Sequence, residues 1–384
     1  MSLLPAPDAQ GIIRFDDGII VDHSRARIVL PKAFKAYKEK VGIHSIIKHA
    51  FDAPQNRFIP RGVKRGSFQH ILWLFFTALT DRREISENVY KAAAKLYEEN
   101  PWAYGPGIGA PQKKINRYLK RLVATAPPVE ITINPTQGLL FGDTDIGGVL
   151  TDDLVTLVDI LLETDEAVEE ITIVRTDSQT EIEGILRKKK VGSPGQSASY
   201  WPRVAETLYR EFGGDPLEIF RRYPTIEAFL AFKRDWSRKF GNDPFPGIGA
   251  KIASLITMFY AELGLMTMPE DAMPVDVHLQ RFALEMGIVR YEGTKRLTNE
   301  MVERQARKLY CDICNENGWS HEDFSHAIWF LSKRLCSSCH RKKIAQMLCP
   351  VFDFCLGSVP SNSYFRKGIW VIEHRQKNGG TLHR

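Results

Sequence analysis

Two short stretches of this chain hold residue types suited to work on a phosphate or a sugar. The first, Phe245-Pro246-Gly247-Ile248-Gly249-Ala250-Lys251-Ile252-Ala253, lies between two helical patterns. A proline and two glycines permit a tight hairpin. The second glycine lets the first N–H groups of the next helix face a phosphate oxygen with no side chain in the way. Pro246, Gly247, Ile248, Gly249 and Ala250 are therefore the candidate backbone grip of a helix-hairpin-helix on DNA; the competing reading is a turn that serves helix geometry alone. Lys251, next in line, is either an amine nucleophile or one more phosphate contact. Downstream, Met273-Pro274-Val275-Asp276-Val277-His278 sets Asp276 at the start of a helical segment. Its carboxylate is either a functional group or an N-cap worth about 0.5–2 kcal/mol. An earlier string, Pro106-Gly107-Ile108-Gly109-Ala110, reads as a glycine-rich turn.

All six cysteines follow residue 310, and four of them form Cys336-x2-Cys339-x9-Cys349-x5-Cys355. Four thiolates so close together can surround a metal, and in a cytosolic-type chain such clusters are more often metal sites than disulfides. An iron–sulfur centre is one reading. The others are tetrahedral zinc, joining Cys311-x2-Cys314 to Cys336-x2-Cys339, and reduced structural cysteines. Within the cysteine run, His340-Arg341-Lys342-Lys343 is either a solvated face or a clamp, through Arg341, Lys342 and Lys343, on a DNA backbone.

Elements of ordinary soluble type must position these groups. With 384 residues, 43% hydrophobic and 26% charged, the chain is too long for one average domain, and its composition excludes global disorder and a disulfide-dense mini-protein. Its most apolar run, Ile71-Leu72-Trp73-Leu74-Phe75-Phe76, is far short of a membrane span, and the N-terminus carries no secretory pattern. A cytoplasmic, nucleoid-associated or nuclear monomer is expected. Charge is distributed unevenly. From Glu130 to Glu183 there are fourteen acidic residues against one basic, Arg175, a local −13 that leaves +19 on the remainder of a chain of net +6. So basic a remainder fits a polyanionic partner.

Helical periodicity dominates. Residues 67–79 and 86–98 predict a helical hairpin with Ser67 and Ser86 as caps; 200–212 predicts a helix stopped at Gly213-Gly214, and 216–234 one or two more. The acidic tract differs: 129–133 and 170–174 alternate with β-branched residues, while 152–163 reads as an amphipathic helix. Turn-rich flanks mark it as a mixed α/β insertion, open to a protein partner.

Together, the hairpin lysine and the Val275-Asp276-Val277-His278 segment resemble the helix-hairpin-helix DNA glycosylases, the family of endonuclease III and 8-oxoguanine glycosylase. The resemblance extends to Thr77–Asp81 and Asn88–Tyr97, resumes over 191–260 and covers about 250 residues. Residues 326–331 also resemble the helix that leads into the [4Fe-4S] loop of endonuclease III. The final Cys-x5-Cys matches that loop, whereas the x2 and x9 spacings replace the family's x6 and x2. The gap from Lys251 to Asp276 exceeds the family pattern by about six residues, which predicts an added loop over Met266–Met273.

The resemblance implies a mainly α, two-lobed fold interrupted by the acidic insertion. Residues 67–103 and 191–270 would form a barrel lobe, 104–190 the insertion, and 271–355 a C-terminal lobe on which residues 1–66 pack, leaving 356–384 as a tail. Lys251 would project from the first lobe and Asp276 from the second. It further implies a DNA glycosylase with lyase activity on double-stranded DNA, Lys251 attacking C1′ of a flipped nucleotide with Asp276 assisting, and a [4Fe-4S] cluster on Cys336, Cys339, Cys349 and Cys355. Leu79 would be the wedge that fills the gap left by the flipped base. A glycosylase that uses Asp276 and water without strand cleavage, and a non-catalytic DNA-binding protein, remain the alternatives. The excised base is not legible in these motifs.

Overall fold

The computed structural model describes residues 3–47, 53–80, 86–104, 178–189, 193–336 and 343–357, with the short pieces 369–370, 374–375 and 381–382. Among the described residues the chain is mainly helical. Its helices are α1 (His23–Lys38), α2 (Pro54–Arg57), α3 (Phe68–Thr80), α4 (Ser86–Glu99), α5 (Ser178–Lys188), α6 (Pro194–Phe212), α7 (Pro216–Arg222), α8 (Ile226–Phe240) and α9 (Ala250–Glu262). They continue with α10 (Val277–Glu285), α11 (Asn299–Asn317), α12 (His321–Leu331) and α13 (Lys343–Leu348). The strands are β1 (Ile12–Arg14), β2 (Ile19–Asp22), β3 (Val289–Tyr291), β4 (His374–Arg375) and β5 (Thr381–Leu382). No helix among the described residues is long and apolar enough to cross a membrane.

The chain forms two compact units, the first comprising Met1–Ala53, Tyr223–Ala231 and Gly249–Arg384, the second Pro54–Arg222 and Phe232–Ile248. In the first unit β1, β2 and β3 make an antiparallel sheet, with Ile13 opposite Val21 and Ile20 opposite Arg290. Asp22 ends β2 and caps α1 by accepting the Arg25 N–H at 2.9 Å. Ala26, Val29, Leu30, Ala33 and Phe34, spaced by three and four, bury one stripe of α1 in the same core as Leu279 and Phe282 of α10, Leu309 of α11 and Phe324 of α12. Asp312 adds two anchors by accepting the backbone N–H groups of Leu3 and Leu4.

Side chains start three helices of this unit. Asp276 caps α10, Thr298 caps α11 and Ser320 caps α12. The segment expected as an added loop has a packing role of its own. Met268, Ala272 and Met273 are buried, and Asp271, 8% exposed, accepts the N–H groups of Ile226 and Glu227 at 2.8 Å each, satisfying the start of α8.

In the second unit α3 is buried all round from His70 to Thr80. Phe76 stacks on Trp201 of α6 at 5.0 Å, Trp73 meets Tyr90 of α4 edge-on, and the Trp201 indole donates to Ala103 O at 2.7 Å. Ser67 accepts the His70 N–H, as its expected capping role requires. Leu79 corrects the wedge expectation: it is 0% exposed inside α3, where a side chain has no access to a base stack. Helix α6 starts earlier than the periodicity of 200–212 predicts, with Pro194 at its first position, and ends at Gly213. Of the expected insertion, 105–177 lies outside the described residues, including both predicted strands, the predicted helix and the Pro106–Ala110 turn. Its last part, α5, is helical and packs on α6.

Candidate active site

The hairpin is assembled from local bonds. Ile248 N–H donates to Phe245 O at 3.1 Å, and Asp243 accepts the Phe245 N–H at 2.9 Å. Lys233 ties the turn together, donating to Ile248 O and pairing with Asp243 at 3.2 Å. Phe245, Pro246 and Ile248 are buried, so Ile248 anchors the turn rather than facing outward. Gly247 has φ +83°, which demands glycine. Gly249 differs: its φ of −91° is ordinary, a Cβ there would meet nothing within 4 Å, and no side chain caps the start of α9. Fold geometry leaves glycine at 249 unexplained, whereas close approach of an outside group to the N–H groups of α9 would explain it.

Asp276 has both oxygens engaged. Oδ1 accepts the backbone N–H groups of His278 at 2.8 Å and Leu279 at 3.1 Å, the N-cap expected from sequence. Oδ2 accepts the indole N–H of Trp329, on α12, at 2.9 Å. The cap uses one oxygen alone, so the second is held by an independent contact and keeps a lone pair for a reacting group. The Trp329 ring is itself enclosed. Phe330 and His278 meet it edge-on at 4.9 and 6.0 Å, and the Lys333 ammonium lies 4.1 Å from its centroid.

His278 sits among these charges with Nδ1 buried and without a hydrogen-bond partner among the described residues. Burial lowers its pKa most, Asp276 opposes, and Lys333, Arg281 and Lys251 push it down further, so the imidazole stays neutral below the usual range. Lys251, half-buried in the first turn of α9, makes no hydrogen bond or ion pair with a described residue. Its charge also acts on Glu303 of α11, a carboxyl raised by burial despite the pull of Arg307 at 3.2 Å. Expected on different lobes, Lys251 and Asp276 lie in the same compact unit, where α9 also contributes Glu262 to a hydrogen bond with His326.

The cysteines divide into two environments. Cys311 and Cys314 are 0% exposed in the α11 core, and burial raises both thiols. Cys336 ends a π-helical turn, Ser332–Cys336, whereas Cys349 and Cys355 flank a short 3-10 turn; all three are half-buried against one core. Cys355 Sγ lies 3.9 Å from Glu285 Oε2. Among the described residues no group of three His, Cys, Asp or Glu side chains is arranged to hold a metal. Cys339, Arg341 and Lys342 lie outside the described residues, as does the side chain of Lys343.

Sequence reasoning missed Trp329, Lys333, Glu303 and Lys233, whose relations to the motifs are tertiary and leave no local spacing. No protein-family model matches the chain, and no curated protein matches it.

Proposed function

We propose that this chain is a DNA glycosylase of helix-hairpin-helix type that also cleaves the strand at the resulting abasic sugar. The observation that carries the reading is the Asp276 carboxylate, oriented at one oxygen by the start of α10 and at the other by Trp329, in the compact unit that also holds Lys251, whose amine pairs with no described residue. A helix cap alone has no use for the second restraint.

The uncapped start of α9 binds a backbone phosphate, and the basic body of the chain draws in the duplex. A damaged, mispaired or modified nucleotide is flipped from the stack at a cost of a few kcal/mol. As the C1′–N bond to the base breaks, its electron pair leaves with the base, which takes a proton. Once its ammonium has given a proton to water, the Lys251 Nζ lone pair forms the bond to C1′, and Asp276 stabilises the positive charge on the sugar and accepts the further proton shed by the amine as that bond forms. Opening of the C1′–O4′ bond gives the C=N bond of a Schiff base, with O4′ taking a proton. Loss of a C2′ proton then expels the 3′ phosphate. Water hydrolyses the Schiff base and restores the amine.

The resemblance also implies a [4Fe-4S] cluster. Three of its four cysteines are described and do not assemble as a group of three, so the described thiols do not by themselves constitute the site, and no step above runs through a cluster. Iron and acid-labile sulfide content of the purified protein tests it. A cytoplasmic, nucleoid-associated or nuclear location belongs to the same proposal.

The functional test is borohydride trapping on duplexes that carry different damaged or modified bases, with wild type, Lys251→Gln and Asp276→Asn. An adduct absent from Lys251→Gln supports the full reading. Base release without an adduct reduces Lys251 to a phosphate contact and leaves Asp276 to activate water. No release from any duplex favours a binding protein.

A further inference from the structure

We propose that Trp329 is the positioning residue of this site, holding the Asp276 carboxylate in the orientation the reaction uses. The proposal rests on the glycosylase reading. Its geometry is direct: the indole N–H reaches Oδ2 at 2.9 Å, while the two backbone donors of α10 take Oδ1. With Oδ1 alone restrained, the carboxylate could still turn about its Cβ–Cγ bond over the broad range open to such torsions. A third donor on the other oxygen removes that freedom and fixes where the remaining Oδ2 lone pair points.

Trp329 suits the role because its own ring is packed against neighbours. Phe330 and His278 bracket it edge-on, and the Lys333 ammonium lies over its face. Lys333 belongs to the π-helical turn that follows α12, so the backbone irregularity there places a cation over the same ring whose edge holds the anion. Trp329 would act through Asp276, without touching the reacting atoms. A purely structural account has the carboxylate merely satisfying a half-buried indole N–H, and the two accounts diverge in kinetics.

Trp329→Phe keeps an aromatic ring at this position and removes the donor together with the five-membered part of the indole. Excision should slow by about 10- to 100-fold in kcat, the scale expected when a reacting group is misplaced by a fraction of an ångström, with KM for the duplex within about twofold of wild type. Trp329→Phe with unchanged kcat, or with a loss confined to KM, overturns the proposal. A second measurement needs no activity. Among the seven tryptophans, the Trp329 indole N–H resonance is identified by its loss in Trp329→Phe and should move in Asp276→Asn. An unmoved resonance overturns the proposal at its root. If no duplex is excised by wild type, the positioning role falls with the glycosylase reading; a moved resonance then shows that the pair is real and the reaction wrong, an unmoved one that the pair itself is wrong.

Discussion

The hydrogen bond between His326 and Glu262 makes the stability of the first unit depend on pH with a definite sign. Nε2 of His326 lies 2.6 Å from Glu262 Oε1, the side chains are 15% and 11% exposed, and the bond joins α12 to α9. Burial works against the imidazolium, but the charge and hydrogen bond of Glu262, with Asp323 and Glu322 adding to them, raise the pKa above the ordinary 6.5. A raised folded-state pKa means that this stabilisation is fully present below about pH 6.5 and is lost as pH rises through the folded-state value. A well-shielded charge-assisted hydrogen bond contributes about 1.5–3 kcal/mol. His278 and His321 act in the opposite sense, because burial lowers both and stability falls as pH drops below their unfolded value. His70, lowered to about 4, behaves likewise. The difference between wild type and Glu262→Gln removes that shared background. Guanidinium unfolding at several values between about pH 5 and 9 should show wild type ahead by about 1.5–3 kcal/mol at the acidic end, with the advantage shrinking toward the alkaline end. An advantage that is flat, or that grows with pH, refutes the charged-pair account.

Four further outcomes follow from single positions. Asp276→Ala strands two helix N–H groups and the Trp329 indole, so chemical denaturation should show a loss of about 2–4 kcal/mol, of which Asp276→Asn, still able to cap, should show about half. Gly247→Ala, at φ +83°, should cost about 1–2 kcal/mol of stability. Gly249→Ala, at φ −91° with open space around it, should leave stability unchanged and weaken duplex affinity measured by fluorescence anisotropy. Leu79→Ala should lose about 2–5 kcal/mol by creating a cavity in α3, a core signature in thermal melts that an exposed wedge would not give.

What was legible in the sequence was what is local. The periodicity of 67–79 and 86–98 matches α3 and α4, Gly213 stops α6, and Asp276 caps α10, because each depends on neighbours within a turn or two. The same locality explains the error at Leu79. Periodicity locates a helix end only to within a few residues, and α3 runs to Thr80, carrying Leu79 into the core instead of leaving it in a turn. The site is legible only in part for the opposite reason. Trp329 reaches Asp276 across 53 positions, His326 reaches Glu262 across 64, and Lys233 reaches Ile248 across 15, separations that impose no pattern on intervening residues. In sequence Asp271 is one acidic residue in an apparent excess loop, yet it is the cap of a helix that begins 45 positions earlier. A loop longer than the pattern of the glycosylases that the motifs resemble is therefore not slack here. Through the Asp271 cap on α8 and the burial of Met268, Ala272 and Met273, the extra residues are tied into the first unit a few positions before Asp276.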